Sequence, residues 1–214
     1  MNTAESKKRL TLFQLVITFV PFALLLTAAM MAPEAPQIID NHRAVYTIEA
    51  LVYYRAIYSI WLTIAFMIPA LALYFLPGDS ESKTNYWLLC WTFAFLAFLV
   101  HFYYTVGVVF HWSLRDIYAK QGPIIATSNF LDTAWWAFDL LLAWFVSSQA
   151  NWIKVQRTLA HIYIPATFFV SAVVIKHGVV RVLGIVMTIT MLVSIAIWLI
   201  RRKRGVVMDV PQAA

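Results

Sequence analysis

The chain has 214 residues, of which 62% are hydrophobic, 16% aromatic and 12% charged, with a formal net charge of +6. Soluble domains carry about twice this charged fraction, so the composition excludes an ordinary soluble domain and indicates a polytopic membrane protein. The positive charge does not indicate nucleic-acid binding, because the cations cluster beside apolar segments, as at 7–9 and 201–204. The single cysteine, Cys90, excludes an intramolecular disulfide and a cysteine-rich metal site.

Six apolar segments approach the length of about 20 residues that a membrane-spanning helix needs. In chain order they cover about 10–31, 52–76, 86–110, 130–147, 158–176 and 179–200. The first follows a basic cluster, as in a signal peptide, but its apolar run exceeds the roughly 7–15 residues of a signal core, and we interpret it as a retained span. No sustained strand-like alternation and no internal repeat is present. The sequence therefore predicts an all-α integral membrane protein, a bundle of about six transmembrane helices forming one membrane domain over 1–214.

The distribution of lysine and arginine predicts the orientation of this bundle. With six spans, the N-terminus, the 77–85 and 148–157 loops and the C-terminus share one side and carry ten of these residues, against six on the other side. Because cytoplasmic segments are enriched in lysine and arginine, both termini are expected in the cytoplasm of a bacterial-type inner membrane. The longer loops, 32–51 and 111–129, then face outward. The second has the pattern of a short interfacial helix ended by Gly122–Pro123.

Two ionisable residues lie well inside the predicted spans, His101 in the third and Asp139 in the fourth. Such groups are costly in hydrocarbon and mark a functional site or a polar pair. Each lies nine residues from the outer end of its span, about 14 Å, so the two are expected to meet in the outer half of the bundle. Asp132 lies two turns before Asp139 on the same helical face. We predict His101, Asp139 and Asp132 as the catalytic residues, with Asp139 fixing the tautomer of His101.

Other polar and aromatic residues are expected near this level of the bundle. Buried aromatic rings suit a flat lipophilic molecule such as a quinone, an isoprenoid or a pigment. The predicted ligand contacts are Arg55, Glu49, Tyr104, Trp135 and Trp136.

A transition metal is a further hypothesis, with His101, His111 and Asp139 as its ligands. Imidazole and carboxylate groups suit iron, copper or zinc. The ten residues between the two histidines weaken this hypothesis, because they correspond to about 15 Å of helix. Haem is disfavoured, since no second histidine is expected at the depth of His101.

The predicted function is a membrane-embedded site that binds or processes a lipophilic or redox-active small molecule, alone or as the membrane subunit of a larger complex such as an oxidoreductase. Two alternatives stay open. A proton-coupled transporter of a small solute would use His101 and Asp139 as its coupling pair and would act as a homodimer. A structural or assembly subunit would use the same pair only to fix two helices in register. No phosphate-binding loop, serine-hydrolase elbow or zinc-peptidase motif is present. The expected partners are the lipid bilayer, the ligand and other membrane subunits.

Overall fold

The computed structural model describes residues 10–33, 48–76, 78, 80–146, 148 and 150–203. Within these ranges the chain forms seven helices and no strand, which confirms the all-helical prediction. The helices are α1 (Leu12–Met31), α2 (Ile48–Phe75), α3 (Glu81–Phe102), α4 (Leu114–Gln121), α5 (Pro123–Phe145), α6 (Asn151–Phe169) and α7 (Val179–Lys203). Helices α3 and α6 continue as π-helices over Tyr103–Val109 and Val170–Ile175.

Five helical stretches of the described chain are long and apolar enough to cross a membrane. They are Leu12–Met31, Ile48–Phe75, Glu81–Val109, Asn151–Ile175 and Val179–Arg201. Helix α5 is not among them, because two aspartates and a polar first half lower its hydropathy, although its 23 residues extend over about 35 Å. The structure is consistent with a multi-pass helical membrane bundle.

Helix α2 lies at the centre of the packing, against α1, α3 and α7, while α6 contacts both α5 and α7. Aromatic rings dominate the largest core cluster, which includes the fully buried indoles of Trp87, Trp91 and Trp136. A smaller cluster holds α1 against α2 and α3, with the rings of Phe22 and Phe93 stacked 4.7 Å apart. Large rings with close, offset contacts stabilise helix pairs beyond their buried area.

Helices α5 and α6 each begin about seven residues before the predicted start of their span. Helix α5 begins at Pro123, after Gly122 in the left-handed region with a φ of 78°, since proline suits the first helical position. Helix α6 begins at Asn151 rather than near 158, which brings Arg157 inside the helix, where it is buried. A prediction from hydropathy begins a span only after the last polar residue, even where the polar side chains face the interior of the bundle. The predicted 111–129 loop is therefore helix α4 and the first turns of α5.

Candidate functional site

Asp139 of helix α5 is fully buried and accepts hydrogen bonds from two neighbouring helices. Its Oδ2 accepts from Trp91 Nε1 of α3 at 3.0 Å. Its Oδ1 accepts from Gln156 Nε2 of α6 at 2.8 Å and from Arg157 Nε at 3.3 Å. The contact with Arg157 is also an ion pair. Arg157 itself is 3% exposed, so both charges lie in the interior. The carboxylate thus joins α3, α5 and α6.

His161 of helix α6 lies beside this ion pair, between two aromatic rings. Its ring centroid is 3.9 Å from that of Tyr74 and 4.1 Å from that of Trp91. Trp87 Nε1 donates to His161 Nε2 at 2.9 Å, and His161 Nδ1 lies 2.8 Å from the carbonyl oxygen of Arg157. An indole N–H only donates and a carbonyl only accepts, so the two bonds fix a neutral ring with its proton on Nδ1.

The predicted contact between His101 and Asp139 is wrong. His101 Nδ1 donates to the carbonyl oxygen of Ala56 at 2.8 Å, and no hydrogen bond joins it to Asp139 among the described residues. His101 lies ten residues beyond Trp91, which touches Asp139, and is therefore about 15 Å farther along α3. The early start of α5 explains the error, because it places Asp139 sixteen residues from the N-terminal end of α5 instead of the predicted nine. Arg157, rather than a histidine, is the partner of the aspartate.

His101 instead lines a cavity of about 50 Å³ near the π-helical end of α3. Three further polar side chains line it, those of Thr105, Gln121 and Asn129. The rest of the wall is apolar and consists of Phe98, Phe102, Val106, Ile117, Ala126 and Phe130. The volume suits a small polar group or a few water molecules. A polar group beside His101 would thus meet both polar and apolar side chains in the wall of the cavity.

Helix α4 closes one side of this cavity. Ser113 caps its N-terminus by accepting from the backbone N–H of Asp116 at 3.3 Å, and Ile117 packs its 1% exposed side chain against Val106 and Ala126. The turn that leads into α4 contains two left-handed residues, His111 at a φ of 49° and Trp112 at 59°. Non-glycine residues in this region are unfavourable and persist where the surrounding packing holds them.

Asp132 is a second buried carboxylate on α5, but it has no cation partner in the described part of the chain. It is 2% exposed, and its Oδ2 accepts from Thr167 Oγ1 of α6 at 2.7 Å. Its Oδ1 has no hydrogen-bond partner. Asp132 therefore contributes a single bond between α5 and α6, about two helical turns from the Asp139 network on the same face of α5.

The predicted aromatic contacts belong to the core rather than to one pocket. Trp136 is fully buried, with its ring centroid 4.4 Å from that of Trp91. Trp135 Nε1 donates to Gln156 Oε1 at 3.1 Å, which extends the Asp139 network. Tyr104 packs edge-on against Tyr103 at 5.5 Å. None of these rings lines the cavity beside His101.

The predicted charged contacts, Arg55 and Glu49, are also separate from the cavity. Arg55 Nε of α2 donates to the carbonyl oxygen of Met30 at 3.2 Å, near the C-terminal end of α1. The side chain of Glu49 is exposed in the first turn of α2.

The three predicted metal ligands are not brought together. His111 is exposed in the turn before α4, and Asp139 is engaged by Arg157. No group of three histidine, cysteine, aspartate or glutamate side chains with metal-binding spacing occurs among the residues described. The geometry gives the metal hypothesis no support.

The sequence did not single out Arg157, Gln156 or Trp91 as functional residues. The predicted span begins at 158, so the prediction treats Arg157 as a loop cation. A usable signal was present, since Arg157 and His161 are four residues apart and so share one face of a helix. Searches against family models, curated proteins and solved structures each found no match. A functional assignment therefore depends on the side chains of the Asp139 network and of the cavity beside His101.

Proposed function

We propose that the protein is a six-span protein of a bacterial-type inner membrane that binds a lipophilic small molecule beside His101. The observation that carries the binding proposal is the cavity itself, where four polar side chains meet six apolar ones between α3, α4 and α5. Small-molecule sites combine an apolar lining with a few placed polar groups in this way, and a cavity of about 50 Å³ would hold the polar end of such a molecule. Helix α4 would cover the bound group, and the Asp139–Arg157 network would hold the helices in register beneath it.

The side chains of α5 support its role as a membrane span, in addition to the five helical stretches named above. Its buried polar residues, Asp132 and Asp139, are both on the side that faces the bundle. The opposite side carries four exposed apolar residues at helical spacing, Leu131, Phe138, Leu141 and Phe145. A helix with polar groups turned to its neighbours and apolar groups turned outward suits a lipid environment.

The distribution of lysine and arginine supports cytoplasmic termini even when Arg157 is removed from the count. Arg157 is buried against Asp139 and no longer counts as a loop residue, which leaves nine lysines and arginines on the side of the termini against six on the other. The Asp139 network then lies toward the cytoplasmic side, and the His101 cavity lies in the outer half.

The transporter alternative is less well supported. A coupling carboxylate must gain and lose a proton, and protonation of Asp139 would leave Arg157 as a buried cation without its ion-pair partner. Unpaired buried charges are strongly unfavourable. The ion pair instead suits a fixed element of the bundle.

Photolabelling with a cavity-filling control tests the binding proposal. The protein in nanodiscs would be exposed to photoreactive C15 chains that end in a hydroxyl, a carbonyl or a quinone, and labelled peptides would be mapped by mass spectrometry. We expect at least one chain to label 98–106 and 117–130. Ala126→Leu, which fills the cavity, should abolish this labelling, whereas Ala134→Leu on the exposed side of α5 should not. Labelling spread over all lipid-facing helices and equal in both variants would contradict the proposal.

A further inference from the structure

The hydrogen bonds around the cavity determine which groups remain for a ligand. His101 Nδ1 is 2.8 Å from the carbonyl oxygen of Ala56. Because a carbonyl only accepts, Nδ1 carries the proton and Nε2 of the neutral ring is an acceptor. No side chain or backbone group in the described ranges donates to Nε2. A ligand beside His101 is therefore expected to supply a donor.

The hydrogen bond between the amides of Gln121 and Asn129 leaves one NH2 group and one carbonyl oxygen unused by this pair. Asn129 Nδ2 donates to Gln121 Oε1 at 3.0 Å. Reversing both amides would exchange the two roles, but one NH2 group and one carbonyl oxygen would still remain unused by this pair. The remaining NH2 group can donate to an oxygen atom bound in the cavity.

Thr105 provides only an acceptor. Its Oγ1 donates to the backbone carbonyl oxygens of His101 at 2.8 Å and Phe102 at 3.2 Å, which commits its proton. The polar wall thus offers three acceptors, His101 Nε2, Thr105 Oγ1 and one amide carbonyl oxygen, and an NH2 donor from the amide pair. No lysine, arginine, aspartate or glutamate lines the cavity, so nothing in its wall would neutralise a charged group.

We propose that the cavity binds the hydroxyl end of a lipophilic alcohol or phenol, an inference that rests on the proposed function. The ligand O–H donates to His101 Nε2, and the hydroxyl oxygen accepts from the Gln121–Asn129 amide pair. Among the end groups of lipophilic molecules, a hydroxyl is the smallest that meets both requirements, and a volume of about 50 Å³ admits it with little of the attached chain. The apolar part then lies along Phe98, Phe102 and Phe130.

A ligand without the O–H proton would leave Nε2 unpartnered. A methyl ether of the same chain keeps the oxygen acceptor and nearly the same apolar surface but loses the donor. We expect the ether to bind about tenfold more weakly than the alcohol, which is the usual effect of removing one partner of an enclosed hydrogen bond. A ketone is expected to behave like the ether, because it also only accepts.

The test compares a photoreactive C15 alcohol with its methyl ether, using wild-type protein in nanodiscs. His101→Asn serves as the diagnostic variant, because its amide retains a donor for the Ala56 carbonyl but lacks the Nε2 position. His177→Asn is the matched control at an exposed histidine. In the wild type and the control, we expect the alcohol to reach half-maximal labelling of the cavity peptides at about one tenth of the concentration that the ether needs. In His101→Asn, we expect the two compounds to label at similar concentrations.

Each outcome separates the inference from the proposed function. Equal labelling of the cavity by alcohol and ether in the wild type would overturn the hydroxyl assignment and leave the binding proposal standing. Failure of the alcohol, carbonyl and quinone chains alike to label the cavity would overturn both. A preference that persists in folded His101→Asn would overturn the role of His101. If that variant does not fold, the wild-type comparison still decides the hydroxyl assignment.

Discussion

The ion pair between Asp139 and Arg157 is the residue-scale feature on which the packing of three helices depends. Both side chains are almost completely buried, and the carboxylate accepts three hydrogen bonds. Removing one partner of a buried ion pair leaves the other as an uncompensated charge, which strongly lowers the free energy of unfolding. Replacing both partners with apolar residues of similar volume costs much less. The pair is therefore expected to matter most when only one of its members is changed.

Asp139→Asn should lower the free energy of unfolding by about 3–5 kcal/mol, because Arg157 would remain buried without a counter-charge. Denaturation in mixed micelles, followed by circular dichroism, measures the change. Asp132→Asn is the matched control on the same helix, and we expect it to cost much less, since Asp132 has no cation partner in the described chain and its bond from Thr167 can be kept. Equal losses in the two variants would contradict the role of the pair. The double variant Asp139→Asn/Arg157→Met should lose less than Asp139→Asn, because it keeps an amide acceptor at position 139 and removes the unpaired cation.

His161→Phe should lower the free energy of unfolding by about 1–3 kcal/mol, the usual cost of a buried donor left without an acceptor. The phenyl ring keeps the stacking between Tyr74 and Trp91, but Trp87 Nε1 loses its acceptor. Adding Trp87→Phe removes that donor, so the double variant should lose less stability than the sum of the two single variants. The same denaturation assay provides the comparison, and strict additivity would argue against the hydrogen bond.

At the scale of the elements, close approach between helices depends on small residues. A Cβ atom on Gly184 of α7 would lie 2.9 Å from Ala172 Cβ and 2.9 Å from Val173 Cγ2 in the π-helix that ends α6. Both distances are shorter than ordinary contacts between carbon atoms. Gly184 thus allows α7 to approach this segment more closely than any other residue would.

Gly184→Ala should destabilise the protein by about 1–3 kcal/mol, the usual cost of overpacking. Helix propensity alone predicts the opposite sign, a gain of about 0.5–1 kcal/mol for alanine within a helix. The sign of the change in unfolding free energy in mixed micelles therefore distinguishes the two effects. A stabilised variant would contradict the close packing of α7.

The elements also show how far the sequence predicts the fold. Apolar segments identified the six long helices of the described residues, because burial in lipid or in the core requires apolar residues over most of a helix. The predicted starts of α5 and α6 are too late, because Asn129 and Arg157 are polar but face the interior of the bundle. The partners of Asp139 could not be predicted, because a single sequence does not state which helices are neighbours or how they are offset.

At the scale of the whole molecule, the proposal requires the His101 cavity and the chain termini to lie on opposite sides of the membrane. Reporters fused after residue 204 and inserted in the turn at 111–113 test this directly. We expect the first to be cytoplasmic and the second periplasmic, as the excess of lysine and arginine predicts. Both reporters on one side would contradict the six-span topology and the outer position of the cavity.

The most direct measurement is the identification of what the protein retains through purification. Wild-type protein in mild detergent would be extracted with organic solvent and the extract analysed by mass spectrometry, beside His101→Asn, Ala126→Leu and the exposed control His177→Asn. We expect a stoichiometric, hydroxyl-bearing lipophilic molecule in the wild type and the control, lost from the two cavity variants. Only bulk lipids in all four samples, or a molecule retained equally by all four, would contradict a ligand site beside His101.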